Sequence, residues 1–366
     1  MLAFSTFTAA LCFIAFIEAS GPPPTNVYPP PQPGGGGGAS GPNPANNFAG
    51  FPSPAKHFHA NRQYPNSSPG SYSYPACGFP SVRKEWRKLT PGLQQHYLDA
   101  VQCLMATHSI LTNESMVSRS VYDDFAYSHS ILVARVHGTA LFLPWHRTLI
   151  QLFEYALQDF CGYLGSLPYW DWTLDAASPS SSPIFAENSF GGSGTGSPPC
   201  ISSGRFASAT VLITHPAPQC ITRSFSNGPQ MGSNAYNAAV VGALVRNGGR
   251  WLDFYSQLYE GPHSAVHNAV GGDFGNPPAA GNDPLFWVHH AMVDKIWNDW
   301  QDANPGQETQ YFGNRDSTNP AANDALPTDA LNLGVPALSG RSLFPEMTVR
   351  DAIWSDGGGW FCYIYA

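Results

Sequence analysis

Charged residues are scarce in this chain of 366 residues, since only 11% are Asp, Glu, Lys or Arg. Lys and Arg number 17 against 25 acidic residues, the net charge is −8, and no cluster of basic residues occurs. A nucleic acid or an anionic membrane surface requires a concentration of positive charge on its partner. The sequence therefore predicts neither as a partner.

Long apolar runs are absent after residue 20, so no later segment is expected to span a membrane. Residues 1–20 are apolar, short for a span, and end at small residues before Gly-Pro-Pro-Pro. This pattern predicts a secretory signal peptide cleaved near Ala19 or Ser20. Because no Lys or Arg precedes the apolar run, an uncleaved anchor is the alternative. We expect the mature chain to be secreted, extracellular and free of the membrane.

Cysteine is rare, with 7 in the chain, and Cys12 lies in the predicted signal peptide. The remaining six (7 − 1) are an even number, which predicts up to three disulfides in an oxidising compartment. Asn66 and Asn113 begin Asn-Xaa-Ser glycosylation sites, which fit the same secretory route.

The mature chain divides into two regions of different composition. Residues 21–76 are rich in Pro, Gly, Asn and Ser, which is typical of a flexible or extended low-complexity lead-in. Residues 77–366 carry the hydrophobic periodicity of a single folded domain without internal repeats.

Apolar side chains recur at helical spacing in four stretches of that domain. These stretches run over 122–136, 144–160, 262–270 and 283–300. Prolines in first turns, an Asp cap and terminal glycines mark their limits. We therefore predict an all-α (mainly α) fold, a central four-helix bundle with long loops and few or short strands.

The loop over residues 175–235 is dense in Ser, Gly and Pro. A loop of this length is unusual in a compact domain unless a crosslink fixes it. Cys200 and Cys220 both lie in the loop, and we predict a disulfide between them.

Histidines lie on the apolar faces of the predicted bundle. His129 and His146 each share a face with apolar residues, and His263 and His267 lie one turn apart, a spacing that could chelate one ion. That pair alone is more typical of ordinary core or surface histidines. However, several buried imidazoles without partners would cost about 1–3 kcal/mol each, and a metal shared within the bundle would satisfy them.

His289 and His290 are neighbours in the fourth stretch. His290 shares a helical face with Phe286 and Val293, whereas His289 falls on an equally apolar row. The periodicity therefore leaves both histidines open as candidates.

Two motifs contain these histidines: YDDFAYSH followed by HGTALFLPWHR, and GPHSAVHNAVGG followed by NDPLFWVHHAMVDKIW. Three further segments, CGFPSVRKEWRKLT, LPYWDWTLDA and the final CYIY, accompany them. Over about residues 77–366 the chain resembles the tyrosinase and catechol oxidase family of type 3, or binuclear, copper proteins, in its short secreted fungal-type form. The resemblance implies that these residues form a tyrosinase-type copper-binding catalytic domain.

The resemblance implies two copper ions per chain, each with three histidine ligands. The first ion would be bound by His129, His137 and His146, and the second by His263, His267 and His290, which selects His290 over His289 by analogy. Neutral imidazoles suit copper better than they suit hard cations. Neither pattern contains a cysteine or carboxylate, which excludes a blue-copper site, and the HExxH motif of zinc hydrolases is absent.

The activity implied is the oxidation of a small phenolic substrate, an o-diphenol (catechol), to its o-quinone with dioxygen as co-substrate. The same site would hydroxylate monophenols if the phenol could be deprotonated. The alternatives are an o-aminophenol oxidase and a non-catalytic protein, either a dioxygen carrier or a matrix protein.

The resemblance also implies roles for residues around the second copper. Glu260 would act as a catalytic base through a water, although an exposed first-turn glutamate is the alternative. Ser264 replaces an asparagine that many tyrosinases carry, and Asn268 follows the second histidine, which argues against efficient monophenol hydroxylation. Pro277 occupies the position over the second copper at which relatives often carry a bulky side chain that restricts access. This smaller residue predicts an open substrate entrance. Arg135 replaces the cysteine that forms a thioether in some relatives.

We expect structural roles for the remaining motif residues. Four aromatic residues should pack around the ligands: Trp145, Trp170, Trp172 and Phe286. Arg83 should stack on Tyr363 or Tyr365. Asp294 should be an ion-pair or hydrogen-bond partner. The 72 residues after Asp294 (366 − 294) are too few for the shielding domain of longer relatives, which predicts activity without proteolysis.

Overall fold

The structure is a computed structural model, and it describes residues 77–110, 118–226, 231–246, 249–311, 349–357 and 360–366. The predicted signal peptide, the lead-in, Asn66 and Asn113 lie outside the described residues. Within the described ranges, no helix combines the length and the apolar character needed to cross a membrane.

The described part of the chain is mainly helical, which confirms the predicted fold class. Its helices are α1 (Pro91–Ala106), α2 (Val121–Val136), α3 (Phe142–Cys161), α4 (Ala238–Arg246), α5 (Trp251–Leu258), α6 (Ser264–Val270) and α7 (Leu285–Ala303). The strands form two short pairs: β1 (Ser81–Arg83) lies parallel to β4 (Tyr363–Tyr365), and β2 (Thr210–Val211) lies antiparallel to β3 (Gln219–Cys220).

Helix α3 lies at the centre and contacts α1, α2 and α7. The interface is aromatic, since Phe153 of α3 stacks on Trp287 of α7 with ring centroids 3.8 Å apart. Tyr122 of α2 meets both rings edge-on, at 6.0 and 5.9 Å. The four-stretch periodicity did not predict α1, although Thr90 caps it and Pro91 occupies its first position.

Local sequence signals explain where the histidine-bearing helices begin and end. Helix α2 starts with a capping box in which Ser120 and Asp123 satisfy each other's backbone amides. Helix α3 begins at Phe142, two residues before the predicted start, because Pro144 is tolerated within a first turn. It ends at Gly162, whose φ of 65° is a left-handed conformation that favours glycine.

The predicted third helix is more complex than the sequence indicated. Helix α5 leads into a π-helical turn over Tyr259–His263, which contains Pro262 and passes into α6. Gly261 is non-helical there, with φ −89° and ψ −107°. Single π-helical turns are frequent at functional sites, and this one redirects the chain just before α6.

The fourth helix begins at Leu285, and its N-cap residue is Pro284 instead of the predicted Asp283. The Asp283 carboxylate nevertheless accepts a hydrogen bond from the Leu285 amide at 2.9 Å. Arg223 binds the same carboxylate through two nitrogens, at 2.6 and 2.8 Å, and both side chains are fully buried. The loop that contains Arg223, which precedes α4 in sequence, is thereby fixed to the start of α7.

Three disulfides form, as the cysteine count predicted: Cys77–Cys362, Cys103–Cys161 and Cys200–Cys220. The predicted pairing of Cys200 with Cys220 is therefore confirmed. Near Cys77–Cys362 the Arg83 guanidinium lies 3.6 Å from the centre of the Tyr363 ring, which confirms the predicted stacking.

Candidate metal centre

The first histidine cluster joins α2 to α3. His129, His137 and His146 each place a ring nitrogen within 4.8 Å of the others. The Nε2 atoms of His129 and His137 are 3.4 Å apart. His129 and His146 are almost fully buried, and His137 is partly buried.

The break between α2 and α3 brings these three side chains together. Helix α2 ends at Val136, and His137 leaves it with an extended backbone of φ −117° and ψ 140°. Gly138 then turns the chain with a φ of 65°. His146, on the inner face of α3, consequently meets His129 and His137 from another direction.

The second cluster joins α6 to α7. His263, His267, His289 and His290 all place a ring nitrogen within 4.8 Å of one another. His263 ends the π-helical turn and His267 lies one turn later, as their spacing in the sequence predicted.

His289 and His290 both lie in the second cluster, but they face different neighbours. The His290 ring stacks on His146 of the first cluster, with centroids 4.3 Å apart and planes at 9°. The His289 ring is 4.6 Å from His267 and 6.4 Å from Trp172. His290 therefore lies between the two clusters, whereas His289 lies towards the wall of the second.

Backbone carbonyls orient four of the seven imidazoles. The Nδ1 atoms lie near carbonyl oxygens as follows: His137 to Val133 at 3.0 Å, His146 to Phe142 at 2.7 Å, His263 to Tyr259 at 3.2 Å and His267 to Phe274 at 2.6 Å. A carbonyl oxygen only accepts, so each Nδ1 carries the proton. The Nε2 lone pair of each ring is thereby left for a metal, an arrangement typical of histidine ligands.

Several of these nitrogens are buried without a hydrogen-bond partner. They include Nε2 of His146, Nε2 of His263 and both ring nitrogens of His289 and of His290. A buried polar atom that lacks a partner costs about 1–3 kcal/mol. Two groups of imidazoles without a carboxylate or thiolate ligand suit copper, zinc or iron rather than magnesium or calcium. The residues present therefore fit a pair of transition-metal ions.

Burial keeps the histidines neutral at physiological pH. It lowers the pKa of His137 and of His267 from 6.5 to about 4, although the hydrogen bond to a carbonyl partly opposes it. The pKa of the other five clustered imidazoles is lowered well below 6.5 by burial, reinforced by neighbouring histidines. Neutral imidazole is the form that binds a metal.

We expect the metal-free chain to lose stability as the pH falls from 6.5 towards 4. In that window the unfolded chain binds protons at His137 and His267 that the folded chain does not bind, so the free energy of unfolding decreases. Above pH 6.5 both histidines are neutral in the folded and in the unfolded chain, so their full contribution to the free energy of unfolding is present. Urea unfolding at several pH values should show a loss on the order of a few kcal/mol.

The control for that experiment is the double variant His137→Gln, His267→Gln, which should show a weaker dependence on pH. An equal dependence in both chains would contradict the assignment to these histidines.

Of the four aromatic residues predicted to pack around the ligands, Trp145, Trp172 and Phe286 form a wall beside the two clusters, whereas Trp170 packs on Phe185 at 5.3 Å. The Phe286 ring lies 4.7 Å from His129 and 4.3 Å from His290. The Trp145 ring lies 5.0 Å from His146. This wall excludes water from the side of the clusters that faces the core.

A cavity opens on the other side of the clusters. It is lined by His129, His137, Tyr259, His263, Ser264, His267, Asn268, Phe274, Gly275, Pro277 and Ala280. The three residues predicted at a substrate entrance, Ser264, Asn268 and Pro277, all lie in this lining. Glu260 is exposed and is not among the lining residues.

Tyr259 and Phe274 line the cavity, although neither was predicted from the sequence motifs. Tyr259 lies four residues before His263, and its carbonyl accepts hydrogen bonds from His263 and, at 2.6 Å, from the Ser264 hydroxyl. An aromatic residue one turn before a histidine was the only signal that could have indicated it. Phe274 stacks on His267 at 4.3 Å from across the loop that follows α6.

Comparison with known proteins gives consistent matches. The profile of the common central domain of tyrosinase matches residues 119–303, which contain all seven clustered histidines. The tyrosinase ustQ of Aspergillus flavus is 34% identical over 306 residues, 80% of this chain and 81% of that protein. The N-acetyl-6-hydroxytryptophan oxidase ivoB of Emericella nidulans is 30% identical, over 78% of this chain and 92% of that protein.

Among solved structures, a polyphenol oxidase from Thermothelomyces thermophila superposes with a TM-score of 0.68 at 26% identity. The superposition covers 78% of this chain and 88% of that one. The shared architecture therefore extends well beyond the segments that carry the histidines.

Proposed function

Because this chain belongs to the tyrosinase family of binuclear copper oxidases, we propose that it oxidises o-diphenols to o-quinones with dioxygen, using one copper ion in each histidine cluster. The observation that carries this proposal is the pair of adjacent clusters of buried neutral imidazoles, which border one cavity. Metal binding would give these nitrogens the partners that they otherwise lack.

The proposed ligands are His129, His137 and His146 for the first ion, and His263, His267 and His290 for the second. The choice of His290 over His289 is supported by its stacking on His146, which places it between the clusters. The His289 ring lies 4.6 Å from His267, 5.5 Å from His263 and 6.4 Å from Trp172, and we assign it to the wall of the second site.

A copper pair, when bound, supplies the binding and reduction of dioxygen and the two-electron oxidation of the diphenol. Two diphenols and one dioxygen would give two quinones and two waters. The chain itself orients the ligand rings through their Nδ1–carbonyl bonds and excludes bulk water through the aromatic wall.

The cavity favours a flat, uncharged ring as substrate. None of its lining residues is Asp, Glu, Lys or Arg, and its histidines are neutral. Pro277 and Gly275 at its edge are small, which leaves room for a substituted phenol.

The surroundings of the second cluster support diphenols over monophenols as substrates. The Ser264 hydroxyl donates to the Tyr259 carbonyl at 2.6 Å, so its proton is engaged within the chain. Glu260 is exposed outside the cavity lining, and its action as a base through a water stays a prediction from the resemblance. We infer that catechols are turned over faster than monophenols of the same size.

We propose further that residues 1–20 are a signal peptide and that residues 77–366 form the catalytic domain of a secreted protein. The three disulfides support this route, because such bonds persist in oxidising compartments.

The test is to load the purified full chain with copper, quantify the metal, and follow dioxygen uptake and quinone absorbance. Catechol, o-aminophenol, tyramine and a 6-hydroxyindole should be supplied in turn, the last because of the Emericella nidulans relative. Catechol should give the highest turnover. Reversible dioxygen binding without quinone would indicate a carrier, and faster turnover of o-aminophenol would indicate an aminophenol oxidase.

A further inference from the structure

We propose that Asp273 and His215, which lie outside both histidine clusters, position His267 for metal binding. This inference rests on the proposed function, because it concerns a ligand of the second ion. Asp273 and His215 are positioning residues, since neither lies in the cavity lining or in a cluster.

Asp273 is a buried carboxylate with every oxygen engaged. Its Oδ1 accepts a hydrogen bond from His215 Nε2 at 2.7 Å. Its Oδ2 accepts from the Thr222 amide and from the Thr222 hydroxyl, both at 2.7 Å. The side chain is only 2% exposed, whereas that of His215 is 14% exposed. Hydrogen bonds to a buried ionised group are among the stronger ones in proteins.

The loop that carries Asp273 is wrapped closely around Thr222. The Asp273 amide donates to the Thr222 carbonyl at 3.0 Å. Gly272, with a φ of 60°, approaches the same carbonyl so closely that an added Cβ would lie 2.2 Å from its oxygen. The backbone path from α6 to Phe274 is therefore determined by contacts with Thr222 and with the Asp273 side chain.

Phe274 connects this loop to the metal centre. Its carbonyl oxygen accepts the Nδ1–H of His267 at 2.6 Å, and its ring stacks on the same imidazole at 4.3 Å. Because Phe274 directly follows Asp273, a shift of the anchored residue would move both the acceptor and the stacking ring. His267 would then lose the bond that fixes its proton on Nδ1 and presents Nε2 to the metal.

His215 itself is oriented for this role. The Gln219 side-chain amide lies 2.8 Å from His215 Nδ1 and can donate to it, which leaves Nε2–H to donate to Asp273. The Thr222 hydroxyl donates to Asp273 and not to His215, so this His–Asp pair has no activated hydroxyl of the kind that hydrolases use. The pair therefore serves to fix the loop.

The experiment measures Cu(I) binding by competition with a chromogenic chelator, in two backgrounds of the full chain. The His146→Gln background should retain only the second site, and the His290→Gln background only the first. Asp273→Asn should weaken Cu(I) binding about 10–100-fold in the His146→Gln background and leave it unchanged in the His290→Gln background. His215→Gln, at a partly exposed position, should also weaken Cu(I) binding in the His146→Gln background. This variant tests the proposal if Asp273→Asn does not fold.

The matched control is Asp124→Asn, which alters another buried carboxylate, one that accepts from Ser109, Ile110 and Ser118. It should leave Cu(I) affinity unchanged in the His146→Gln background. Equal losses in both backgrounds, or no loss in either, would overturn the positioning role while leaving the copper function intact. If neither the His146→Gln chain nor the His290→Gln chain binds Cu(I) without a second substitution, the copper function is overturned as well.

Discussion

Replacement of His290 by glutamine should lower the copper content from about two ions per chain to about one and reduce catechol turnover at least about 10³-fold. His290 stacks on His146 at 4.3 Å and lies 5.2 Å from His263, so its ring borders both proposed sites. Its two nitrogens are buried without hydrogen-bond partners, as are those of His289, so the position of the ring and not its burial distinguishes the two. Glutamine approximates the volume and polarity of the imidazole, but its amide is a much poorer copper ligand.

The matched variant is His289→Gln, which alters an equally buried neighbour on the same helix. We expect it to retain about two copper ions and most of the catechol turnover, because His289 packs towards Trp172 and away from the first cluster. His108→Gln, at an exposed position outside both clusters, controls for losses during purification. Loss of one ion in His289→Gln and not in His290→Gln would reverse the proposed assignment.

The second large effect is expected for stability: Asp294→Ala should lower the free energy of unfolding by about 3–5 kcal/mol. One oxygen of Asp294 accepts from Arg147 Nε at 2.6 Å. The other accepts from the hydroxyls of Tyr363 and Tyr365 at 2.6 and 2.5 Å, and Arg83 lies 3.5 Å from it. The sequence-based expectation of a structural ion-pair role is thereby confirmed.

The large cost follows from burial. The Arg147 side chain is 0% exposed and pairs with Asp294, so removal of the carboxylate leaves its buried guanidinium with the neutral Gln301 amide and backbone carbonyls as acceptors. Arg83 keeps its ion pair with Glu154 at 2.8 Å, so the larger part of the cost falls on Arg147. The network also joins α3 and α7 to the C-terminal strand β4. Its loss should therefore loosen the contact between the end of the chain and the two central helices.

Urea unfolding of the metal-free chain would measure this effect without a contribution from metal binding. The control is Asp299→Ala, which removes the i,i+4 partner of Lys295 at a position 38% exposed and should cost at most about 1 kcal/mol. A similar cost for both variants would show that the buried network adds no more than a surface ion pair does.

The helices that carry the proposed ligands could be predicted because their signals are local. Periodic apolar residues, prolines in first turns, the Asp283-Pro284 pair and terminal glycines located α2, α3, α6 and α7 to within a few residues. Helices α1, α4 and α5 and the π-helical turn at Tyr259–His263 were not predicted. The three helices lay outside the strongest periodicity, and the π-helical turn depends on how α5 and α6 meet at Gly261.

The surroundings of the metal centre could not be predicted in the same way. His215 and Asp273 are 58 residues apart in sequence and meet only because the loop after α6 wraps around Thr222. Phe274 reaches His267 through the same turn. The spacing of apolar residues in the sequence does not predict such contacts, because they depend on segments that are neither helix nor strand.

The sequence by itself determined the histidine-bearing helices, the histidines that could bind metal and an even number of cysteines after the predicted signal peptide, because each depends on short-range spacing or on a rare residue type. The pairing of Cys200 with Cys220 was a prediction that the tertiary structure confirmed. Only the tertiary structure separated the surroundings of His289 and His290. Adjacent residues on a helix point about 100° apart, and both can face a concave group of side chains. Which of them lies between the two clusters depends on how α7 is rotated against α3, and packing between distant segments sets that rotation.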